Sequence, residues 1–369
     1  MRERGTGPRI RGVTVKYAWP AALVLAASIG CPAVGPPNDV PAGLREVFED
    51  GGLIETYRGL CDASAVAWID PEHFVVAEDE RNELRVYRRA QPDAVGVIAL
   101  DDFLEVDAAH PEADLEAAAV LGDEVYWLAS HSRNKNAKPR PSRRRFFATA
   151  WNGATIEPIG KPYRQLLMEL IADERYAVFD LEAAARRAPK RSSGFNLEGL
   201  SAWGDGALLI GVRNPVPDGL ALAIPLLNPK EIVHEGARAI FGEPLRLDLG
   251  GAGIRSIEAL GEDEFLIAAG SPAGSSDRLF FWSGSPQAVP VGIAGLDLNV
   301  EGMAYRAEEG RLLLASDDGT RLVAGAECKS IPDAAAKRFR VRSRATPITP
   351  RKASNATSTT VSIRHPRPS

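Results

Sequence analysis

One short pattern recurs along the chain and limits the folds that are open to it. Its clearest copy begins at Asn196 with the letters NLEGL, passes through a Gly/Asp turn, and continues into an apolar run that starts at Ala207. The pattern returns at Asn299, and a third copy begins at Asp114. Each copy combines a strand, a tight turn and a second strand, which is typical of antiparallel hairpins. The sequence therefore predicts an all-β protein built from repeated units.

Two weaker copies complete the series. One starts at Asp62, and the other starts at Gly253 and carries Arg255 where the other copies have glutamate or serine. Propeller repeats of four strands take about 40–50 residues each, and the starts follow this scale except between 114 and 196. We therefore predict a β-propeller of about five to six four-stranded blades. A sixth blade would lie around residues 140–190 or be completed from residues 45–60.

The long interval contains a helical insertion near residues 163–188. The runs LLMELI and LEAAA in this segment have high helix propensity and interrupt the strand pattern. A parallel α/β fold would need such a helix between most pairs of strands, and only this region provides one. A β-sandwich does not explain the repeated strand starts.

Both ends of the chain differ from the repeats. Residues 1–31 combine early basic residues with about a dozen apolar ones, as a signal peptide does, and they end in a box at 28–31 that fits either lipidation of Cys31 or simple cleavage. Residues 32–44 have the Pro/Gly content of a linker, which leaves 45–331 for the propeller. Residues 332–369 are basic, poor in apolar side chains and predicted to be a disordered tail. We expect a periplasmic or cell-surface protein that touches a membrane only through a lipid on Cys31.

The charge distribution narrows the class of partner. The whole chain has a formal net charge of -5, while both ends are basic, so the body is strongly acidic. An acidic body argues against nucleic acid as a partner. It is compatible with a bound cation and leaves a small anionic ligand or an envelope component as candidate partners of the basic segments.

Two cysteines flank the repeats. Cys61 precedes the first repeat and Cys328 follows the last one. A propeller commonly closes by placing both chain ends in one blade, so we expect these residues to approach each other. An oxidising compartment permits a disulfide between them, and two buried free thiols are the alternative.

Equivalent positions of the repeats should meet on the central axis, because the first strand of each propeller blade lines the channel. The third position holds Glu116, Glu198 and Glu301 in three repeats, Arg255 in the fourth and Ser64 in the remaining one. The candidate metal ligands are those glutamates and the first-position residues Asn196, Asn299, Asp62 and Asp114. Oxygen-rich sets of this kind suit Ca²⁺. The alternative is a structural ring in which Arg255 neutralises the acids.

A second polar set follows the second strands of the repeats. His131 is a candidate general acid or base, with Arg255 as its candidate catalytic partner. Guanidinium and amide groups can orient an anion, and the candidate ligand-binding residues are Arg133, Arg213, Asn214, Asp317 and Asp318. A structural role for a lone histidine and a solubilising role for a basic loop are the alternatives.

Several phrases together resemble an uncharacterised bacterial β-propeller family, domain of unknown function 3616. They are GLCDAS at 59–64, SHSRN at 130–134, PSRRR at 141–145, NLEG at 196–199, RNP at 213–215 and SDDG at 316–319. The strand starts and exits are also distantly similar to esterase-like phytase and gluconolactonase-type propellers. That resemblance implies calcium-dependent hydrolysis, by analogy alone.

Two functions remain open from the sequence. The first is an exported, metal-dependent hydrolase of an ester, lactone or phosphoester with an acidic central channel. The second is a non-catalytic propeller that binds a ligand or a protein. No Gly-x-Ser-x-Gly elbow, phosphate-binding loop or dinucleotide motif decides between them.

Overall fold

A computed structural model describes residues 40–41, 44, 53–271, 274, 276–291 and 296–345, with the side chains of 276–277 excepted. Strand β1 (Ile54–Arg58) precedes the first blade, which contains β2 (Ala65–Trp68), β3 (His73–Ala77), β4 (Glu83–Arg88) and β5 (Ala94–Ala99). The second blade contains β6 (Leu115–Leu121), β7 (Glu124–Ala129), β8 (Phe146–Trp151) and β9 (Ile156–Tyr163). The third contains β10 (Asn196–Trp203), β11 (Ala207–Asn214), β12 (Ala221–Leu226) and β13 (Leu245–Leu247).

The fourth and fifth blades complete the ring. The fourth contains β14 (Gly253–Gly261), β15 (Glu264–Gly270), β16 (Ser276–Trp282) and β17 (Val289–Val291). The fifth begins with β18 (Val300–Arg306) and β19 (Arg311–Ser316), and a hairpin of β20 (Leu322–Val323) and β21 (Ala326–Glu327) leads to its third strand, β22 (Arg338–Ala345). The helices are α1 (Asp101–Leu104), α2 (Leu166–Ala172), α3 (Leu181–Ala184) and α4 (Pro229–Glu235), with 3-10 turns at 141–143, 174–179, 217–219, 307–309, 328–330 and 334–336.

The five sheets form a five-bladed β-propeller, as predicted at the lower limit of the expected range. All their strand pairs are antiparallel, and each of the first four blades follows the order of the chain. The first strands contact one another in the closed series β2, β6, β10, β14, β18 and again β2. Residues 140–190, offered above for a sixth blade, instead hold strands of the second blade and the helical insertion.

The fifth blade joins the two ends of the propeller. Its strand order is β18, β19, β22 and β1, so the outermost strand comes from the beginning of the chain. Tyr57 of β1 and Phe339 of β22 pack with Phe74 and Tyr87 of the first blade, with ring centroids between 5.1 and 5.6 Å apart. Each such pair contributes about 0.5–1.5 kcal/mol beyond the area that it buries. The disulfide between Cys61 and Cys328, with Cα atoms 5.8 Å apart, confirms the expected approach.

The predicted boundary at 331 was wrong for part of the tail. Residues 338–345 form β22, which pairs with β19 on one side and β1 on the other. Phe339 and Val341 are buried, while Arg340 donates hydrogen bonds to Asp318 and Asp297. Arginines therefore alternate with buried residues along a paired strand. The basic composition of the tail predicted disorder because it was considered without this two-residue period.

The helical insertion is confirmed and packs between the second and third blades. Leu166, Leu170, Tyr176 and Leu181 lie in one buried cluster with side chains of both blades. The Tyr176 hydroxyl also donates to the carbonyl oxygen of Gly242, at 2.9 Å. These contacts hold the segment that leads from the insertion into β10, the first strand of the third blade.

The predicted signal peptide, most of the predicted linker and residues 346–369 lie outside the described residues. Within the predicted linker, Val40 and Leu44 are buried against the core of the fourth and fifth blades. In the part of the chain that the structure describes, no helix has the length and apolar character needed to cross a membrane.

Candidate functional site

Four of the five inner strands contain the same irregularity at the same position. In β6, β10, β14 and β18 the pairing register skips one residue, and these residues are Glu116, Glu198, Arg255 and Glu301. A β-bulge leaves one residue unpaired and re-aims its side chain. The third position of the repeat is therefore the bulge residue, and all four side chains line one central cavity of about 810 Å³.

The cavity contains both signs of charge. Its acidic residues are Asp79, Glu80, Glu112, Asp114, Glu116, Glu198, Glu301 and Asp317. Its basic residues are Lys135, Arg140, Arg143, Lys190, Arg213 and Arg255, and Ser132, Asn134, Pro189, Asn196, Gly274, Asn299 and Thr320 complete the lining. The predicted ring is thus present, with more positive charge than the repeat pattern suggested.

One side of the cavity is an ion-pair cluster. Arg255 contacts Glu301 through Nη2 and lies 3.6 Å from Glu198 through Nε. Glu198 also accepts from Arg213 and, at 2.5 Å, from the amide of Asn196. Arg255 and Arg213 both donate to the carbonyl oxygen of Gly274, at 2.6 and 3.4 Å. This cluster, which we call the arginine cluster, matches the expectation that Arg255 neutralises the glutamates.

A second ion-pair group holds the start of the second blade. Arg143 lies 2.7 Å from Asp114 and also contacts Glu112. Burial raises the pKa of Asp114, and the guanidinium of Arg143 opposes that shift. The carboxylate of Asp114 is therefore neutralised by its ion pair with Arg143.

A further group of carboxyl side chains, which we call the acidic sector, consists of Asp62, Asp79, Glu116 and Asp317. Among the described residues, none of these four forms an ion pair with Lys, Arg or His. Burial raises the pKa of Asp79 to about 7, with further contributions from Asp114 and Glu80. Burial and the neighbouring Asp317 carboxylate raise the pKa of Asp62 to about 9.

Glu116 has the strongest reason to hold a proton. Burial, followed by the charges of Glu198 and Asp114, raises its pKa well above the ordinary value. Like charges that share a desolvated space disfavour ionisation of each member. The acidic sector therefore contains carboxyl groups that can give and take protons near neutral pH.

Backbone pairing holds the acidic sector in place. Asp62 and Asp317 form an isolated β-bridge between the first and fifth blades, one residue from Cys61. Asn299 donates to Asp317 at 3.0 Å, and the N–H of Gly319 donates to it at 2.9 Å. The chain closure therefore also positions two carboxyl groups of the sector.

The structure brings several predicted residues to the cavity and leaves others outside it. The lining includes Glu116, Glu198, Glu301, Asn196, Asn299, Asp114, Arg213, Arg255 and Asp317, and Asp62 is paired with Asp317. His131, Arg133, Asn214 and Asp318 do not line it. Ser64, the third-position residue of the first repeat, is buried and also outside the lining.

The polar residues outside the lining satisfy backbone groups or close the fold. His131 is buried, its Nδ1 lies 2.8 Å from the carbonyl oxygen of Ala129, and burial lowers its pKa to about 4. Asp318 is buried and forms an ion pair with Arg340 of β22 at 2.7 Å. Neither side chain lines the central cavity.

Asp79 is the main site residue that the repeat pattern missed. It is the second residue after β3, at the same polar exit that contributes Arg213 and Asp317 in other blades. Its Oδ1 atom is buried with no hydrogen-bond partner in the described chain. Its place at the end of the second strand was the sequence signal that could have identified it. Asp79 supplies the first blade with the carboxyl group that Ser64 does not provide.

Arginines contact part of the ligand set that the repeats predict for calcium. Glu198 and Glu301 would have to release arginines before they could bind a cation. Within the described ranges, no three His, Cys, Asp or Glu side chains come together as a set that could hold a metal ion. Calcium coordination therefore stays a prediction that needs a direct titration.

Comparisons with known proteins support the resemblance stated from the sequence. A family model described as "Protein of unknown function (DUF3616)" matches residues 152–285. A search of curated proteins found no match. The match, together with the five blades, confirms the resemblance to an uncharacterised β-propeller family.

Solved structures with a similar course of the chain have low sequence identity. Glutaminyl cyclase from Myxococcus xanthus matches with a TM-score of 0.41 and 14% identity, covering 78% of this chain and 94% of the cyclase. A luciferin-regenerating enzyme matches at 0.40 and 10%, covering 79% and 95%. The PQQ-bound aldose sugar dehydrogenase of Streptomyces coelicolor matches at 0.39 and 13%, covering 79% and 98%. These values give no information about the activity of this chain.

Proposed function

We propose that this propeller is an exported hydrolase that acts on a small anionic ester, lactone or phosphoester in its central cavity. One observation carries the proposal: Asp79 and Glu116, two carboxyl groups without an ion-pair partner in the described chain, face the cavity that also holds Arg143 and Arg213. Carboxyl groups with shifted pKa values in a cleft are candidates for proton transfer.

The two carboxyl groups suit different steps. Asp79 has a pKa of about 7, which lets it act as a general base near neutral pH. It would take a proton from water as the water oxygen bonds to the acyl carbon or phosphorus atom. Glu116, whose pKa is raised well above its ordinary value by burial, would give its proton to the leaving oxygen as the scissile bond breaks. Proton transfer from Asp79 back to Glu116 through solvent completes the cycle.

The arginines would hold the anionic part of the substrate. Arg143 and Arg213 line the same cavity as Glu116, and each retains donors beyond its ion pair. Guanidinium groups match carboxylate and phosphate geometry with paired donors. The proposed steps use the protein's own carboxyl groups and no metal ion.

Turnover assays with site variants test this proposal. The purified protein should hydrolyse at least one of three anionic substrates, namely mono-p-nitrophenyl succinate, p-nitrophenyl phosphate and a small lactone that carries a carboxylate. Asp79→Asn and Glu116→Gln should each reduce kcat by about a hundredfold or more. Glu235→Gln, at the exposed end of α4, is the matched control and should keep full activity. Equal activity in all three variants would refute the assignment.

Two further conditions sharpen the test. The rate should rise with pH through about 7 as Asp79 ionises, and fall above the pKa of Glu116. Treatment with a chelator should leave the rate unchanged. Loss of activity with the chelator and recovery with Ca²⁺ would replace the carboxyl mechanism with the metal-dependent one expected from the sequence.

The arginine cluster favours a second candidate, a binding propeller without catalysis. Paired charges at Glu198, Arg255 and Glu301 satisfy one another and would suit a rigid channel with a fixed recognition pattern. Ligand binding to the cavity without turnover of any substrate class would support this function.

Export is part of the proposal and has its own support. The chain carries a predicted signal sequence, and Cys61 pairs with Cys328. Disulfides persist in oxidising compartments. Cell fractionation should recover the mature protein outside the cytoplasm with both thiols protected from alkylation, and a cytoplasmic protein with free thiols would contradict this.

A further inference from the structure

A second cavity lies beside the first, and four of its seven lining residues are cationic. It has a volume of about 440 Å³ and is lined by Lys135, Asn136, Ala137, Arg186, Arg187, Ala188 and Arg191. None of these lining residues is an acid, and we call this cavity the cationic cleft. Arg186 contacts Glu182 in a pair that is mostly exposed to solvent. The other three cations form no ion pair within the described part of the chain.

Arg133 fixes the first wall of the cationic cleft. Its Nε donates to the carbonyl oxygen of Ala185 and its Nη1 to that of Ala137, both at 2.9 Å. It therefore ties the loop after β7 to the end of α3. The side chain of Asn134 accepts from the N–H groups of Asn136 and Lys138, at 3.0 and 2.9 Å, and so closes the loop on itself.

Asn214 fixes the second wall. Its amide donates to the carbonyl oxygens of Pro189 and Arg191, at 2.6 and 3.0 Å, although Asn214 belongs to β11. Arg187 donates to the carbonyl oxygen of Ser193 at 3.2 Å. Both walls are thus held by side chain to backbone bonds before any ligand arrives, which lowers the entropic cost of binding.

The cationic cleft continues into the central cavity. Lys135 lines both spaces, and the neighbours Lys190 and Arg191 line one each. A ligand that spans the two would place a negative group among the arginines and its remaining atoms towards Glu116. This continuity favours a soluble small molecule over a membrane surface or a polymer.

We propose that the cationic cleft binds a phosphoryl group of a small soluble ligand. Three unpaired cations around one cleft repel one another, and a dianion with three or more acceptor oxygens relieves that repulsion. Arginine provides paired donors for phosphate oxygens, and lysine adds a point charge. The proposal narrows the hydrolase proposed above to phosphorylated substrates, but the binding step itself requires no turnover.

Calorimetric titration with inorganic pyrophosphate at low ionic strength tests the cleft. The wild-type protein should bind with a Kd that rises with salt, because screening weakens contacts between exposed charges. Arg187→Gln combined with Arg191→Gln should weaken binding by about tenfold or more, since contacts between guanidinium groups and anions are among the stronger hydrogen bonds. Arg58→Gln combined with Arg238→Gln removes the same charge from exposed pairs outside both cavities and is the matched control.

The possible results separate this proposal from the hydrolase. Asp79→Asn should bind pyrophosphate as tightly as the wild type, so loss of catalysis and loss of binding are independent readouts. Equal weakening in both double variants would show non-specific attraction and overturn the site. Absence of pyrophosphate binding, or binding only to vesicles that contain phosphatidylglycerol, would overturn the choice of a soluble phosphoryl ligand.

Discussion

Replacement of Arg255 by methionine should destabilise the propeller strongly, because this buried side chain lies between the buried Glu198 and the partly buried Glu301. Arg255 contacts Glu301, lies 3.6 Å from Glu198, and donates to the carbonyl oxygen of Gly274 at 2.6 Å. Breaking a buried ion pair by removing one partner costs about 3–5 kcal/mol, since the remaining charge stays desolvated. A loss of about 4 kcal/mol corresponds to a decrease in Tm of roughly 6–7 °C, because the unfolding entropy of a domain of about 290 residues is about 0.6 kcal/mol/K.

The assay is thermal and urea unfolding of Arg255→Met beside Arg238→Met. Arg238 is 83% exposed in its pair with Glu169, and exposed pairs contribute less than about 1 kcal/mol. Adding Glu301→Gln to Arg255→Met should recover part of the loss, because it removes the charge that the first change left unpaired.

The refuting result is specific. If Arg255→Met lowers the free energy of unfolding as little as Arg238→Met does, the charges of Glu198 and Glu301 do not depend on Arg255 for compensation. If the second substitution brings no recovery, the loss comes from altered packing in the channel and not from uncompensated charge.

Three further predictions follow from the closure and the acidic sector. Replacing Cys61 and Cys328 by serine opens a link that spans 267 residues, which should lower the free energy of unfolding by about 5 kcal/mol in the chain-entropy model; a urea midpoint unchanged from that of the oxidised protein would contradict it. A chain that stops after residue 345 should fold and melt like the full chain, whereas one that stops after 331 lacks β22 and should not fold, as circular dichroism and proteolysis would report. Because the pKa of Asp62 is raised to about 9, the folded state holds a proton that the unfolded state releases near pH 4, so stability should fall as pH rises between these values. Asp62→Asn should flatten that slope in melts from pH 4 to 9, and an unchanged slope would contradict the assignment to Asp62.

The repeat pattern predicted the blades and the channel residues because a propeller places equal positions on one axis. Glu116, Glu198, Arg255 and Glu301 share one position in their repeats, and each became the unpaired residue of a bulge. The sequence contains no separate signal for the bulge, but the polar side chain at the start of an apolar strand is consistent with it.

The same reasoning could not separate ligand-facing polar residues from those that serve the backbone. Arg133, Asn214 and Asp318 lie at the end of a second strand or shortly after it, as Arg213 and Asp317 do. The first three satisfy carbonyl groups or an ion pair of the fold, while the last two line the cavity. Every residue has a backbone carbonyl group, so the sequence does not indicate which carbonyl will be buried and will need a side-chain donor.

The exception in the first blade explains where the chemistry should lie. Its third-position residue is Ser64, and β2 pairs with β3 without the bulge that the other four inner strands have. The missing carboxyl group is supplied by Asp79 from the end of the next strand, beside Asp62 and Asp317 at the closure. Arg213 and Arg255, from the third and fourth blades, pair with Glu198 and Glu301, and the described residues provide no ion-pair partner for Asp79. The departure from the repeat at Ser64, with Asp79 in its place, therefore gives the cavity a carboxyl group whose pKa is about 7.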